Sequence, residues 1–539
     1  QVDAATYRGW LSELPLDKAV SVYLHIPFCQ RLCWYCGCNT RAVNRHEPIA
    51  DYVQLLVKEM DLLAEALPGR LPAQAIHLGG GSPNMLTPAD MDVLFGRLKT
   101  LFDQTDDISI SAELDPANLT RDWVQAAASH GLNRASLGVQ NLSPRVQEAV
   151  NRRESFEEIV QTVAWLREFG VSSINLDLMY GLPRQTVANT LATLDKVLTL
   201  RPERLALFGY AHVPWMKAHQ QLIDTAELPG PAERLDQSFA AAERLVEEGY
   251  VQIGLDHFAL PEDDLAMALK EGRLRRNFQG YTTDPAETLL GLGASAIGYM
   301  NKGFVQNIAQ ELPWRNAVAA GDLPVARGVA FTADDRFRGE IIERLMCDFA
   351  VDLEAVSRRH GRDVADLKPE LSRLGPFLQD HLATVSGTTI QITELGRPVV
   401  RAVCALFDQH RQRQAADGGE AHHRHHVVAV AAERPGFHVF DGDAGFFGEE
   451  VGEAGAIEHA GHADNVRSRE AGEFLQRPHH RIERVGDADH ECVRAVRLDA
   501  FADGLHDLEV DAEQIVAAHA GLARHTGGDD ADVGAGDVG

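Results

Sequence analysis

The sequence predicts an α/β protein built on a parallel sheet, either doubly wound or closed as a barrel. Strand-like and helix-like stretches alternate from about Ala19 to about Leu260, and repeated βα units imply parallel strands. The chemically unusual residues sit at or just past the ends of the strand-like runs, where sheets and barrels of this class put their active sites. The 539 residues, at roughly 150 per domain, allow two to four domains with sizeable cores.

Each element has a reason. Apolar, β-branched runs at 20–26, 75–78, 108–113, 134–140, 174–180 and 205–210 read as buried strands. Between the first two, 49–66 carries apolar residues at helical spacing. A second helix is predicted over 87–102, opened by Thr87 as N-cap and Pro88 at the first helical position. From about Gly328 to Ala416 the pattern is mainly helical, with one β-like stretch at 388–393, and reads as a small separate domain. The domain division is therefore 1–327, 328–416 and a tail, 417–539.

That tail has no Lys, Tyr, Trp or Met, holds 13 of the 23 histidines and carries −16 of the total charge of −28. Its composition matches a GC-rich gene read in the wrong frame or on the wrong strand. A natural disordered extension or a metal-binding tail around His422, His423, His425 and His426 are the other readings. In either case the tail stands outside the functional argument.

Composition excludes several classes. The charge of −28 argues against nonspecific nucleic-acid binding and against an anionic membrane surface. No run approaches the length of a membrane span, and no secretory leader opens the chain. Four of the seven cysteines, Cys29, Cys33, Cys36 and Cys38, fall within ten residues, which is no secreted disulfide framework. Cys347, Cys404 and Cys492 have no motif around them and read as buried or incidental.

Cys29, Cys33 and Cys36 lie on one loop directly after a strand, at spacings C-x3-C-x2-C. A loop that short can wrap three corners of a cubane iron–sulfur cluster, leaving one iron free for a small molecule. Zinc, with Cys38 as fourth ligand, is the alternative, although zinc sites usually pair two separated knuckles. Plain buried cysteines are the third. Gly79, Gly80 and Gly81 follow a strand and either bring backbone close to a ligand or make a tight turn. Glu113 and Asp177 sit in apolar strands, where a carboxylate needs a partner: a ligand or a structural ion pair. Arg152 reads as a ligand for an anion or as surface charge.

The cysteine spacing resembles the radical S-adenosylmethionine (SAM) superfamily. Further matches are Tyr23-Leu-His25-Ile-Pro-Phe before the cluster loop, Cys38-Asn after it, and Gly79-Gly-Gly-Ser-Pro83. Gly138-Val-Gln140, Val150-Asn-Arg152, Asn175-Leu-Asp177, Tyr210-Ala-His212 and Asn277-Phe-Gln-Gly-Tyr281 extend the likeness. Together they resemble the oxygen-independent coproporphyrinogen III oxidases (coproporphyrinogen dehydrogenases) from about Leu16 to about Ala416. Haem-chaperone-like relatives share the three cysteines but typically lack the fourth; Cys38 and the 277–283 segment favour the oxidases.

The resemblance implies a partial (β/α)6 barrel resembling a TIM barrel, followed by a small helical domain. It implies one [4Fe-4S] cluster on Cys29, Cys33 and Cys36, and two SAM molecules. Tyr23, Tyr35, Gly80, Gly81, Ser82, Glu113, Gln140, Arg152, Asp177, Ala211 and Ile297 are the implied cofactor contacts. Tyr23, His25 and Cys38 are implied in catalysis, Cys38 as a required cysteine that does not bind the cluster. The implied reaction uses a 5′-deoxyadenosyl radical to take a β-hydrogen from two propionates of coproporphyrinogen III. An electron and CO2 then leave, giving the vinyl groups of protoporphyrinogen IX in haem biosynthesis. The resemblance further implies a cytoplasmic monomer served by an electron donor and an acceptor. A tetracarboxylate substrate makes Arg31, Arg273, Arg275 and Arg276 candidates for its rim. The family's Tyr-Thr-Ser-Tyr-Pro-like N-terminal stretch, which helps cover the active site, has no counterpart before Gln1.

Overall fold

A computed structural model describes residues 2–409. Cys492 and the segment 417–539 lie outside them. Six parallel strands form the centre: β1 (Val20–Ile26), β2 (Leu71–Gly80), β3 (Phe102–Leu114), β4 (Arg134–Gln140), β5 (Ser173–Tyr180) and β6 (Arg204–Gly209). Each pairs with its sequence neighbour, in the order β1 to β6. A doubly wound sheet reverses direction from an inner strand, and among these six strands there is no such reversal. The barrel alternative therefore holds, and the barrel is partial, because the sheet's two edge strands do not pair with each other.

Three differences from the sequence reading have plain causes. β2 and β3 begin well before 75 and 108, at Leu71 and Phe102, pairing through residues such as Pro72 and Asp103 that carry no apolar signal. The helix expected to reach 102 ends at Leu101, and Phe102 opens β3. A seventh parallel strand, Leu289–Leu292, joins β1 on its free side, and three antiparallel strands, Ile297–Met300, Gly303–Asn307 and Val325–Ala330, extend that edge. The main sheet thus runs to Ala330. At the other edge, His257–Ala259 pairs antiparallel with β6.

The barrel strands alternate with period two, unlike the near-continuous apolar runs of parallel strands buried on both faces. Ile110 and Ala112, Ala135, Leu137 and Val139, and Ile174, Leu176 and Leu178 are all buried in the main hydrophobic core with the helices. Each Ile, Leu or Val among them contributes about 1.5–3 kcal/mol. The intervening residues, Ser109, Ser111 and Glu113, then Ser136, Gly138 and Gln140, then Asn175 and Asp177, line a central cavity. Helix Pro88–Leu101 is closed at its start by a full capping box, Thr87 with Asp90.

Beyond the main sheet, a second apolar core gathers Phe337, Ile341, Leu345, Val356, Phe377 and Phe407. The β-like stretch is strand Thr389–Ile392, central in a three-stranded antiparallel sheet with Ala350–Asp352 and Ala383–Ser386. Cys347 and Cys404 are buried. No helix among the described residues is long and apolar enough to cross a membrane.

Candidate functional site

The cavity has a volume of about 800 Å³ and passes through the barrel, lined by residues from β1 to β6 and from the 277–285 segment. Cys29, Cys33, Cys36 and Cys38 line it, on the loop that leaves the C-terminal end of β1. Each of the first three thiols has a polar neighbour. Thr40 Oγ1 lies 3.1 Å and Ser82 Oγ 3.6 Å from Cys29 Sγ. Arg152 Nη1 donates to Cys33 Sγ at 3.5 Å, and the Cys38 N–H to Cys36 Sγ at 3.4 Å. Among the described residues no three His, Cys, Asp or Glu side chains converge on one point, as a single ion requires.

The loop is clamped from two sides. His219 Nε2 donates to the Cys36 carbonyl at 2.6 Å, and Gln220 Nε2 to the Tyr35 carbonyl at 3.1 Å and the Ala211 carbonyl at 3.2 Å. Lys217 Nζ reaches the Cys38 carbonyl at 3.4 Å. Opposite, the Trp34 N–H donates to the Val150 carbonyl and Asn151 to the Leu32 carbonyl, each at 3.0 Å. Sequence reasoning missed Lys217, His219 and Gln220; nothing in the local pattern singles them out.

The glycine run makes contact between strands. Gly80 has φ +115°, and a Cβ there would stand 2.7 Å from His25 Cε1; one at Gly81 would stand 2.5 Å from the Phe28 carbonyl oxygen. The N–H groups of Gly80, Gly81 and Ser82 donate within the protein, to Glu113 Oε2 (3.1 Å), the Ile26 carbonyl and the Phe28 carbonyl. These N–H groups therefore fix the loop, a use the sequence reading did not foresee.

Under the loop lies a polar network. His25 Nε2 is 2.9 Å from the Asn39 carbonyl, which can only accept, so Nε2 carries hydrogen. In the neutral ring Nδ1 then accepts from the Tyr23 hydroxyl at 2.9 Å. Tyr23 stacks on His77 (5.8 Å between centroids, 14° between planes). His77 contacts Ser111 Oγ at 2.6 Å and Glu113 Oε1 at 3.3 Å. His77 was missed; its only signal was a histidine inside an apolar strand. The Tyr52 hydroxyl donates to the His25 carbonyl at 2.8 Å and accepts from the Ala294 N–H at 2.9 Å. This ties β1 to the turn before Ile297.

Arg152 is buried, which corrects the surface reading. Its Nη2 lies 2.5 Å from Glu154 Oε1 and 3.4 Å from Asp115 Oδ1, and donates to the Gly138 carbonyl at 2.5 Å. Asp115 and Glu154 were missed, although each lies within two residues of a residue singled out. Asp177 accepts from Ser136 Oγ at 2.8 Å and Asn175 Nδ2 at 2.7 Å. Burial pushes its carboxyl up to about 6, against the lowering effect of the Ser136 bond.

Of the expected site residues, the four cysteines, Tyr35, Gly80, Gly81, Ser82, Glu113, Gln140, Arg152 and Asp177 line this one cavity. Gln140 sits at the end of β4 with φ +61°. Tyr23 and His25 are buried one layer behind the wall. Ala211 is buried, and Ile297 is a half-buried residue paired with Gln306. Arg31 and Arg273 line the cavity, Arg31 donating to the Arg153 carbonyl and Arg273 paired with Glu271. Arg275 lies 3.7 Å from Glu343, and Arg276 covers the Tyr281 ring.

Comparison with known proteins agrees with this geometry. The radical SAM superfamily matches residues 23–197, and the HemN C-terminal domain matches residues 331–399. The oxygen-independent coproporphyrinogen III oxidase of Bradyrhizobium diazoefficiens is 46% identical over 409 residues, 76% of this chain and 91% of that protein. Its counterpart in Paracoccus denitrificans is 39% identical, over 76% of this chain and 90% of its own. The solved structure of coproporphyrinogen III oxidase (HemN) from Escherichia coli, described as a radical SAM enzyme, superposes with a TM-score of 0.73. It is 36% identical and covers 76% of this chain and 94% of its own. With these thiols on the β1 loop of a six-stranded partial barrel, this chain belongs to the oxygen-independent coproporphyrinogen III oxidase family of radical SAM enzymes.

Proposed function

We propose that this protein oxidatively decarboxylates two propionates of coproporphyrinogen III to vinyl groups, giving protoporphyrinogen IX in haem biosynthesis. The observation that carries the reading is one cavity shared by three thiols at C-x3-C-x2-C and by Glu113, Gln140 and Asp177. Each conversion removes one β-hydrogen, one electron and CO2.

The thiols of Cys29, Cys33 and Cys36 fit a [4Fe-4S] cluster: they face one cavity, each has a hydrogen-bonding neighbour, and bonds of this kind to sulfur tune cluster potential. Bound together there, cluster and SAM supply the one-electron chemistry that starts the reaction. The protein's own part is positioning. The clamp of His219, Gln220 and Asn151 fixes the loop, and the Tyr23–His25 pair supports it from behind. Glu113 and Asp177 offer carboxylate oxygens to ligand hydroxyl or ammonium groups, and Gln140 an amide. Two separate groups, Gly80 with Glu113 and Gln140 with Asp177, suit two SAM molecules per chain. Arg152 belongs with the second group and also holds the Cys33 loop. Cys38 is assigned a role in turnover without binding the cluster. The protein is proposed to be a cytoplasmic monomer that draws electrons from one carrier and passes the product electron to an acceptor.

The test is anaerobic reconstitution followed by assay with coproporphyrinogen III and SAM. Protoporphyrinogen IX with two methionines per product is the expected outcome. Haem binding and transfer without porphyrinogen conversion would replace this reading with a chaperone one.

A further inference from the structure

One histidine on the barrel wall is held by a carboxylate on one ring nitrogen and turns its ring to the cavity. His257 opens the short strand beside β6, and its Nδ1 lies 2.7 Å from Asp256 Oδ1. Burial raises the Asp256 carboxyl, but the bond to His257 and the charges of His257, Arg276 and Arg401 together hold it at about 2. Asp256 is therefore an acceptor, and the contact puts a proton on Nδ1. The ring is gripped edge-on by Phe208 (5.7 Å, 81°) and Tyr281 (5.4 Å, 80°). Among the described residues Nε2 has no hydrogen-bond partner, and the side chain lines the cavity.

The space in front of it is kept open. His257 pairs with Ala206, and Ala206 pairs with Asp177, so the three share one level and one face of the sheet. At about 4.8 Å per strand, His257 and Asp177 stand roughly 10 Å apart with only a methyl group between them. Gly280 has φ +131°, and a Cβ there would lie 3.2 Å from Nε2. Asn175 and Gln279 also line the cavity, and each holds one buried atom without a partner, Oδ1 and Nε2. The arginines that line the cavity already face carboxylates: Arg31 and Arg152 with Glu154, Arg134 with Asp264, Arg204 with Asp263 and Arg273 with Glu271.

We propose that His257, oriented by Asp256, binds a propionate carboxylate of the tetrapyrrole substrate inside the barrel. The inference rests on the coproporphyrinogen reading above. As the imidazolium, Nε2–H donates a charge-assisted bond to the carboxylate while Asp256 balances the charge from behind. The position fixes one side chain of the macrocycle and sets specificity for acid over ester.

The test uses the reconstituted full chain and two probes, coproporphyrin III and its tetramethyl ester, with SAM titrated separately. His257→Ala weakens coproporphyrin III by about tenfold or more, the size expected for losing one charge-assisted bond. His257→Gln, which keeps a donor, falls between wild type and Ala. The tetramethyl ester and SAM bind wild type and variants alike, and KM for coproporphyrinogen III rises more than kcat falls. Unchanged coproporphyrin III affinity in a His257→Ala protein that melts like wild type overturns the assignment. So does a loss that falls on SAM alone, or equally on the ester. Should the Ala variant fold poorly, His257→Gln with wild-type selectivity for acid over ester overturns it instead. A wild-type protein that binds no tetracarboxylate overturns the coproporphyrinogen reading as well, so the two failures are distinguishable.

Discussion

The barrel turns Ser109, Ser111, Glu113, Ser136, Asn175 and Asp177 inward, whereas the C-terminal domain turns Phe337, Ile341, Leu345, Phe377 and Phe407 inward. The two interiors do different things. In the C-terminal domain the interior is the source of stability. In the barrel, stability comes from the outward strand faces against the helices, and the interior is free to hold groups that water would otherwise solvate. Several lumen groups carry a cost: Asp177 is pushed toward its neutral form, and Asn175 Oδ1 and Gln279 Nε2 have no partner.

Substitutions should therefore separate cleanly by region. The largest effect belongs to the cluster loop. Cys33→Ala, and equally Cys29→Ala or Cys36→Ala, is expected to lose most of its iron and all measurable turnover after anaerobic reconstitution, with secondary structure retained by circular dichroism. Cys38→Ala is expected to keep its iron and lose turnover; iron loss matching the other three would make Cys38 a ligand. Next comes the apolar interior. Phe337 is fully buried, and Phe337→Ala should destabilise by about 3–5 kcal/mol in denaturant unfolding, the usual cost of an aromatic-sized cavity. Iron per folded chain should not change. A Phe337→Ala protein that is as stable as wild type but empty of iron would break the contrast between the two interiors.

Much of this division was legible in the sequence, for identifiable reasons. The C-x3-C-x2-C spacing and the residues at strand ends are local signals, and the structure gathers most of them around one cavity. The period-two pattern was also readable, in Ile108-Ser-Ile-Ser and Ile174-Asn-Leu-Asp-Leu. It read simply as buried strands, because parallel strands are usually apolar on both faces. What the sequence did not offer was long-range pairing. Arg152 reads as an anion ligand or as surface charge until the fold brings Glu154, Asp115 and Cys33 to it. His219 and Gln220 act on a loop more than 180 residues away, and His257 acquires meaning only from its register with Ala206 and Asp177. The strand Leu289–Leu292 is too short to announce itself and exists because β1 leaves an edge for it.

A smaller effect gives the sharpest contrast, because function and stability should move in opposite directions. Burial holds the Asp177 carboxyl up to about 6 in the folded protein, against about 4 in an unfolded chain. A group raised on folding gives its full stabilising contribution below the unfolded value and loses it as pH rises through the folded one. The cofactor-free protein should therefore lose stability between pH 4 and pH 6 from this residue, by on the order of 1–3 kcal/mol. Asp177→Asn cannot ionise. Its amide can accept from Asn175 and donate to the Ser136 hydroxyl, which accepts as readily as it donates. The variant should show a flatter profile across that window and unfold at higher denaturant than wild type at pH 7. In the same preparation SAM binding should weaken, since a neutral amide replaces the carboxylate that a ligand hydroxyl or ammonium group would meet. Parallel pH–stability curves for wild type and Asp177→Asn would show that this lumen carboxylate carries no such cost.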